Sequence, residues 1–346
     1  MNNKGVYINL SLAALLSLLF VANLLYGSVT IPAQEVLRAL SGQATANDSW
    51  RYIIMESRLP QAFTAMLCGA GLATAGLLLQ TAFRNPLAGP SILGITSGAS
   101  LGAAVVILLF SGGIMAADVS DYGNDSLLLI GSSLSVTVGA CLGATAVIIL
   151  LLGLSRVVRG NMMLLIVGIM LSYLTSAVVS LLNFFANSEN VHSYVIWGLG
   201  SFSDVTMAQL PWFALLNIIG LTIALILIKP LNALLLGDDY AQNLGVDIRR
   251  TNVMLLTATG ILSAVCTAFC GPVTFIGLAV PHIARLITAA ANHTVLMPAT
   301  ILCGACIALI CNLVCVLPEN TIIPINAITP LFGAPVILYI LLRKRY

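Results

Sequence analysis

The side chains in which chemistry would first be sought are eight cysteines, three histidines and three lysines. Cys303, Cys306, Cys311 and Cys315 contain C-x-x-C spacing, which can ligate zinc or an iron–sulfur cluster. On one helix they would fan over about half the circumference, with no His, Asp or Glu beside them. They lie in apolar runs, as do Cys68, Cys141, Cys266 and Cys270, so all eight read as small packing residues and no metal site is assigned. His192, His282 and His293 stand apart without H-x-x-x-H spacing, and His282, after Pro281 near a helix end, reads as structural. A phosphate-cradling P-loop ends in Gly-Lys, yet none of Lys4, Lys229 and Lys344 follows a glycine. Any ATP must therefore be bound by another subunit. No hydrolase triad or other catalytic cluster emerges, and no catalytic residue is assigned.

The segment 230–252 carries a different kind of signal. Leu231 to Leu236 lead through Gly237-Asp238-Asp239-Tyr240-Ala241-Gln242-Asn243-Leu244 to Gly245. This predicts two short amphipathic helices with one glycine between them and another ending the second. Apolar residues in such a polar segment need lipid, the protein's own surface or a partner to cover them.

The elements that hold these residues follow from composition. The 14 basic and 12 acidic residues make 26 charges, where an average soluble chain of this length carries roughly 85. Hydrophobic residues make up 59% of the chain, enough for about ten crossings at about 20 residues each. A soluble globular protein is excluded, and a net charge of +2 gives no electrostatic footprint for nucleic acid. Long apolar runs predict helices rather than a barrel. The expected fold is an all-α polytopic membrane protein, a single domain over 1–346. Its ten spans are expected at about 6–27, 58–83, 91–112, 127–153, 162–186, 208–228, 253–270, 275–289, 296–317 and 329–342. A short amphipathic helix is expected at 32–40, and 187–206 reads as a mixed loop. With both termini cytoplasmic, 11 of the 14 basic residues fall inside, and only Arg38, Arg51 and Arg58 fall outside.

Gly94, Gly98 and Gly102 recur every four positions, as do Ser135, Gly139 and Gly143. These small-residue stripes predict close helix packing. Arg84-Asn85-Pro86-Leu87-Ala88-Gly89-Pro90 and Gly271-Pro272-Val273-Thr274-Phe275-Ile276-Gly277 break the helical pattern in the two halves. Interruptions of this kind in both halves fit an inverted repeat. No span has Asp, Glu, Lys or Arg near its centre, and its polar groups are amides such as Gln80, Asn183 and Asn217. That disfavours an ion-coupled secondary carrier, the alternative of another class.

These motifs in this order resemble the FecCD/BtuC-like permease family, the membrane subunits of bacterial type II ABC importers for ferric siderophores, haem and cobalamin. The resemblance covers about residues 6–345. It is carried by Arg58-Leu59-Pro60, by Gln80 with Arg84 to Pro90, and by Ile92-Leu93-Gly94 with Gly98-Ala99. Trp197-Gly198 with Gly200-Ser201, the 234–245 segment and Gly271 to Leu278 with Pro281-His282 and Arg285 add to it, as do Pro324 and Gly333-Ala334-Pro335.

The resemblance implies a homodimer in the bacterial inner membrane, enclosing one translocation path. It further implies two cytosolic ABC ATPase subunits, which bind ATP and magnesium, and an external substrate-binding protein. The ATPase-coupling residues are then Leu234, Gly237, Asp238, Ala241, Leu244 and Gly245. Arg51 and Arg58 match the basic residues that meet the binding protein, although Gln61 stands where the family often has a second arginine. The turn between spans four and five places Asn161 and Met162 at the inner gate. The substrate expected first is a ferric siderophore, with haem or cobalamin as the alternative.

Overall fold

The computed structural model describes residues 3–110, 125–155, 157, 161–317 and 323–343. Among these residues the chain is helical, without a strand. In chain order the α-helices are α1 (Asn3–Leu25), α2 (Ala33–Leu40), α3 (Asp48–Tyr52), α4 (Leu59–Ala82), α5 (Ile95–Ala104), α6 (Asp125–Leu154), α7 (Asn161–Phe185) and α8 (Ser188–Gly198). They continue as α9 (Leu210–Ile226), α10 (Ile228–Leu234), α11 (Asp238–Asn243), α12 (Ile248–Cys270), α13 (Ile276–Thr288), α14 (His293–Val316) and α15 (Ile325–Arg343). Among the described residues six helical stretches are long and apolar enough to cross a membrane, and the count is seven if the α9–α10 pair, bent by 48°, is taken as one span. Three shorter apolar helices lie at Ile95–Leu109, Ile276–Thr288 and Ile325–Tyr339. The chain is thus a polytopic membrane protein.

Two stretches differ from the sequence reading. A π-helical turn at Ile53–Arg58 joins α3 to α4, so that helix runs unbroken from Asp48 to Ala82. The segment 187–206, expected as a loop, contains α8, which buries none of its residues.

Helix α4 is the axis of the bundle. Every residue from Cys68 to Ala82 is buried, against α14, α12, α13 and α9. The approach is close because the contact residues are small. A Cβ on Gly304 would meet an Ala73 methyl at 2.6 Å, and one on Gly76 would collide with the Gly277 carbonyl. The glycine stripes of α5 and α6 face one another, Gly98 against Gly143 and Gly102 against Gly139. Backbone contact of this kind maximises dispersion between helices that lipid gives no hydrophobic reason to associate. The cysteines do ordinary packing work: Cys306 donates its thiol to the Leu12 carbonyl at 3.7 Å, seating α14 on α1.

Both interruptions pack on each other. A Cβ on Gly277 would lie 2.7 Å from Pro90 Cδ, and Gln80 Nε2 donates to the Leu278 carbonyl at 3.1 Å. Irregular backbone is tolerated here because it is enclosed in protein and its polar groups find partners.

Candidate functional site

At one end of the bundle, α9 bends into α10, and Gly237 turns the chain into α11. Gly237 has φ 117° and ψ 155°, and Gly245, just beyond α11, has φ 85°. These are backbone conformations that side chains other than glycine resist. Leu231, Leu234 and Ala241 turn inward and are buried, fixing α10 and α11 against α4, α14 and each other. Leu235, Leu236, Tyr240 and Leu244 turn outward. Asp238, in the first turn of α11, accepts a 2.6 Å hydrogen bond from Arg84 Nη2, tying the helix to the turn after α4.

The six coupling residues expected from sequence therefore divide. Leu234 and Ala241 anchor the elbow, the two glycines shape it, Asp238 tethers it and Leu244 belongs to its apolar outer face. The other members of that face, Leu235, Leu236 and Tyr240, were absent from the sequence expectation. Their signal was present as apolar residues flanking the glycines.

Beneath the elbow lies a polar network that sequence did not assemble. Arg285 Nη1 donates to Gln80 Oε1 at 2.7 Å, joining α13 to α4. His282 Nε2 donates to the Pro86 carbonyl at 2.7 Å, in keeping with its structural reading. His293, 1% exposed, sets Nε2 at 2.9 Å from Thr81 Oγ1 and Nδ1 at 3.0 Å from Asn232 Oδ1. The imidazole thus bridges the end of α4 to α10. Through His293 the elbow is hydrogen-bonded to the end of α4 and the start of α14, and buried polar groups resist losing such partners.

The opposite end carries Arg51 and Arg58. Arg51 is exposed on α3. Arg58 is 5% exposed and donates to the Leu24 and Leu25 carbonyls at 2.9 Å and to the Val29 carbonyl. Of the two arginines that the resemblance places toward the binding protein, Arg51 is thus exposed and Arg58 buried. The guanidinium of Arg58 closes the end of α1, because the last carbonyls of a helix lack intrahelical partners. Gln61 donates to Asn312 Oδ1 at 3.0 Å, and Asn312 Nδ2 to Asn23 Oδ1 at 2.8 Å, an amide chain linking α4, α14 and α1. Asn161 and Met162 open α7, and their side chains lie outside the described residues.

A cavity of about 750 Å³ opens at this end, lined by residues that include Gln61, Glu189, Trp197, Ser201, Asp204 and Asn312. Desolvation raises the Asp204 carboxyl above the usual aspartate range, partly offset by a hydrogen bond from Ser201.

With this geometry in view, the comparisons with known proteins are consistent. The FecCD transport family matches residues 15–343. The hemin transport system permease protein HmuU of Yersinia pestis is 32% identical over 99% of this chain and 98% of that protein. The molybdate import system permease protein MolB of Haemophilus influenzae is 33% identical over 94% and 92%. The vitamin B12 import system permease protein BtuC of Klebsiella pneumoniae is 32% identical over 96% and 93%. A solved structure described as an inward-facing conformation of a metal-chelate type ABC transporter superposes with a TM-score of 0.81 at 30% identity, covering 98% of this chain and 99% of that one. By a match that spans nearly its whole length, the chain belongs to the FecCD transport family.

Proposed function

We propose that this chain, a permease subunit of an ABC importer, moves a metal chelate across the bacterial inner membrane by alternating access, with a ferric siderophore as the first candidate. It works as a homodimer of ten-span subunits with both termini cytoplasmic. This reading assigns the ten crossings to the six long helical stretches, α9 and the three shorter apolar helices. Two cytosolic ATPase subunits bind the ATP and magnesium, and an external binding protein delivers the ligand. The observation that carries the reading is the elbow at 228–245, which turns Leu235, Leu236, Tyr240 and Leu244 outward while Asp238 and Asn232 tie it to Arg84 and His293. ATP-driven closure of the ATPase pair pushes this face and reaches the bundle through Arg84, Gln80 and His293. Asn161 and Met162 serve as the inner gate, and Arg51 meets the binding protein.

The test is reconstitution with the partner ATPase and binding protein. Uptake should require ATP, and the binding protein should prefer one ligand among ferric siderophores, hemin, cobalamin and molybdate. A preference for hemin or cobalamin would support the second reading, which the hemin and vitamin B12 permeases among the relatives favour. Uptake driven by an ion gradient without the ATPase would overturn the importer reading.

A further inference from the structure

Asn326, on the first turn of α15, engages both ends of its side-chain amide with two other segments. Nδ2 donates to the Pro272 carbonyl at 2.6 Å and to the Gly198 carbonyl at 3.1 Å. Oδ1 accepts from Thr274 N at 3.1 Å and from Thr274 Oγ1 at 3.3 Å. Its own N–H donates to the Leu199 carbonyl at 3.2 Å. These acceptors and donors are what the end of α8 and the break between α12 and α13 leave over.

The junction is tight and strained. Gly271 has φ 74°, and a Cβ there would lie 2.6 Å from the Trp197 carbonyl oxygen. Phe275 has φ 65°, a conformation that a bulky residue holds only where its surroundings impose it. Helix α8 buries no residue of its own, so polar ties matter more for its position. Tyr194 and Trp197 pack against the core only in part, and Asn326 ties the C-terminal end of the helix through the Gly198 carbonyl. Residues of α8 and the following turn, with Pro324 and Ile325, wall the 750 Å³ cavity.

We propose that Asn326 is a positioning residue that latches α8 to the α12–α13 break, so that this wall of the cavity moves only when its hydrogen bonds release together. The driving force rests on the importer reading above; the latch is a property of this chain alone.

The test places a reporter, Asn190→Cys, on α8 where it lines the cavity and is half-buried, and follows its labelling by a bulky maleimide in nanodiscs against the chain without it. Asn326→Asp keeps the acceptor toward Thr274 but loses both donors to Gly198 and Pro272, and Asn326→Ala loses everything. Both should raise the labelling rate by about tenfold, the change expected when a minor open state of ~1–10% becomes dominant. In proteoliposomes with the ATPase and binding protein, substrate moved per ATP should fall as well. A merely structural residue would lower folded yield and leave the labelling rate per folded molecule unchanged. Rates within about twofold of the reporter alone would overturn the latch, with Asn326→Asp deciding if Asn326→Ala does not fold. Failure of the parent chain to couple uptake to ATP would instead count against the importer reading, while the labelling still decides the latch.

Discussion

Replacing Arg58 by methionine keeps an apolar stem of similar length and removes the guanidinium that closes α1. Two hydrogen bonds at 2.9 Å to Leu24 and Leu25, and a third to Val29, disappear. A hydrogen bond to a charged group contributes about 1.5–3 kcal/mol, so the three together amount to about 4.5–9 kcal/mol before any relaxation. Water can reach Val29, which is exposed, but not the buried Leu24, and it returns part of this. The loss of a cation from the negative end of the α1 dipole acts in the same direction. A net cost of about 3–5 kcal/mol results, the range seen when one partner of a buried charged contact is removed. At about 2 °C per kcal/mol for a chain of this size, Tm in detergent falls by about 6–10 °C. Arg58→Lys, which keeps the charge but cannot fork to three carbonyls, should fall between the two. The assay is thermal unfolding of the purified chain beside titration with the binding protein. If Arg58→Met left Tm within about 2 °C and weakened binding-protein affinity by about tenfold, Arg58 would be a docking residue and the helix-closing role would be refuted. Arg51→Gln should do the reverse, leaving Tm in place and lowering affinity by about 0.2–1 kcal/mol with a weaker salt dependence.

Gly237→Ala meets no atom within 4 Å of the added Cβ, so its cost, about 1–3 kcal/mol, comes from φ 117° alone. It should leave insertion intact and lower substrate moved per ATP, and normal coupling would count against the elbow. Gly76→Leu drives a side chain into the Gly277 carbonyl, parting α4 from α13; loss of at least about 1–3 kcal/mol should appear as a lower Tm and a weakened Gln80–Arg285 contact. For the exposed Arg84–Asp238 pair, each single charge reversal should reduce ATPase stimulation. The double reversal should restore it, by an energy of only about 0.2–1 kcal/mol. Asp204 binds its proton more tightly in the folded chain than in the unfolded one. Stability should therefore decline as pH rises from about 3.9 through its raised value. Asp204→Asn should flatten Tm against pH across that window, and an unchanged slope would remove Asp204 as the cause.

Much of the architecture was legible in the sequence because hydropathy is a local property. An apolar run needs no distant information to declare itself a helix in lipid, and Gly237 and Gly245 mark the elbow through their own backbone freedom. The glycine stripes of α5 and α6 were visible for the same reason, although nothing in either run named the other as its partner. Helix α8 was missed: its sequence, Ser-Glu-Asn-Val-His-Ser-Tyr-Val-Ile-Trp-Gly, mixes polar and apolar residues without a buried face, and its backbone is held by contacts with other segments.

The side-chain roles divide along the same line. Sequence alone determined that the chain is a membrane protein with no P-loop and few charges, and that 230–252 is a polar elbow with an apolar component. Only the tertiary structure decided that Arg58 faces the carbonyls of α1 rather than the surface, that His293 bridges Thr81 to Asn232, and that Asn326 binds Gly198, Pro272 and Thr274. Those partners lie from 33 to 212 positions away along the chain. A buried polar group is satisfied by whatever acceptor the packed bundle brings within about 3 Å, and that depends on how the apolar helices stack, not on the residues beside it.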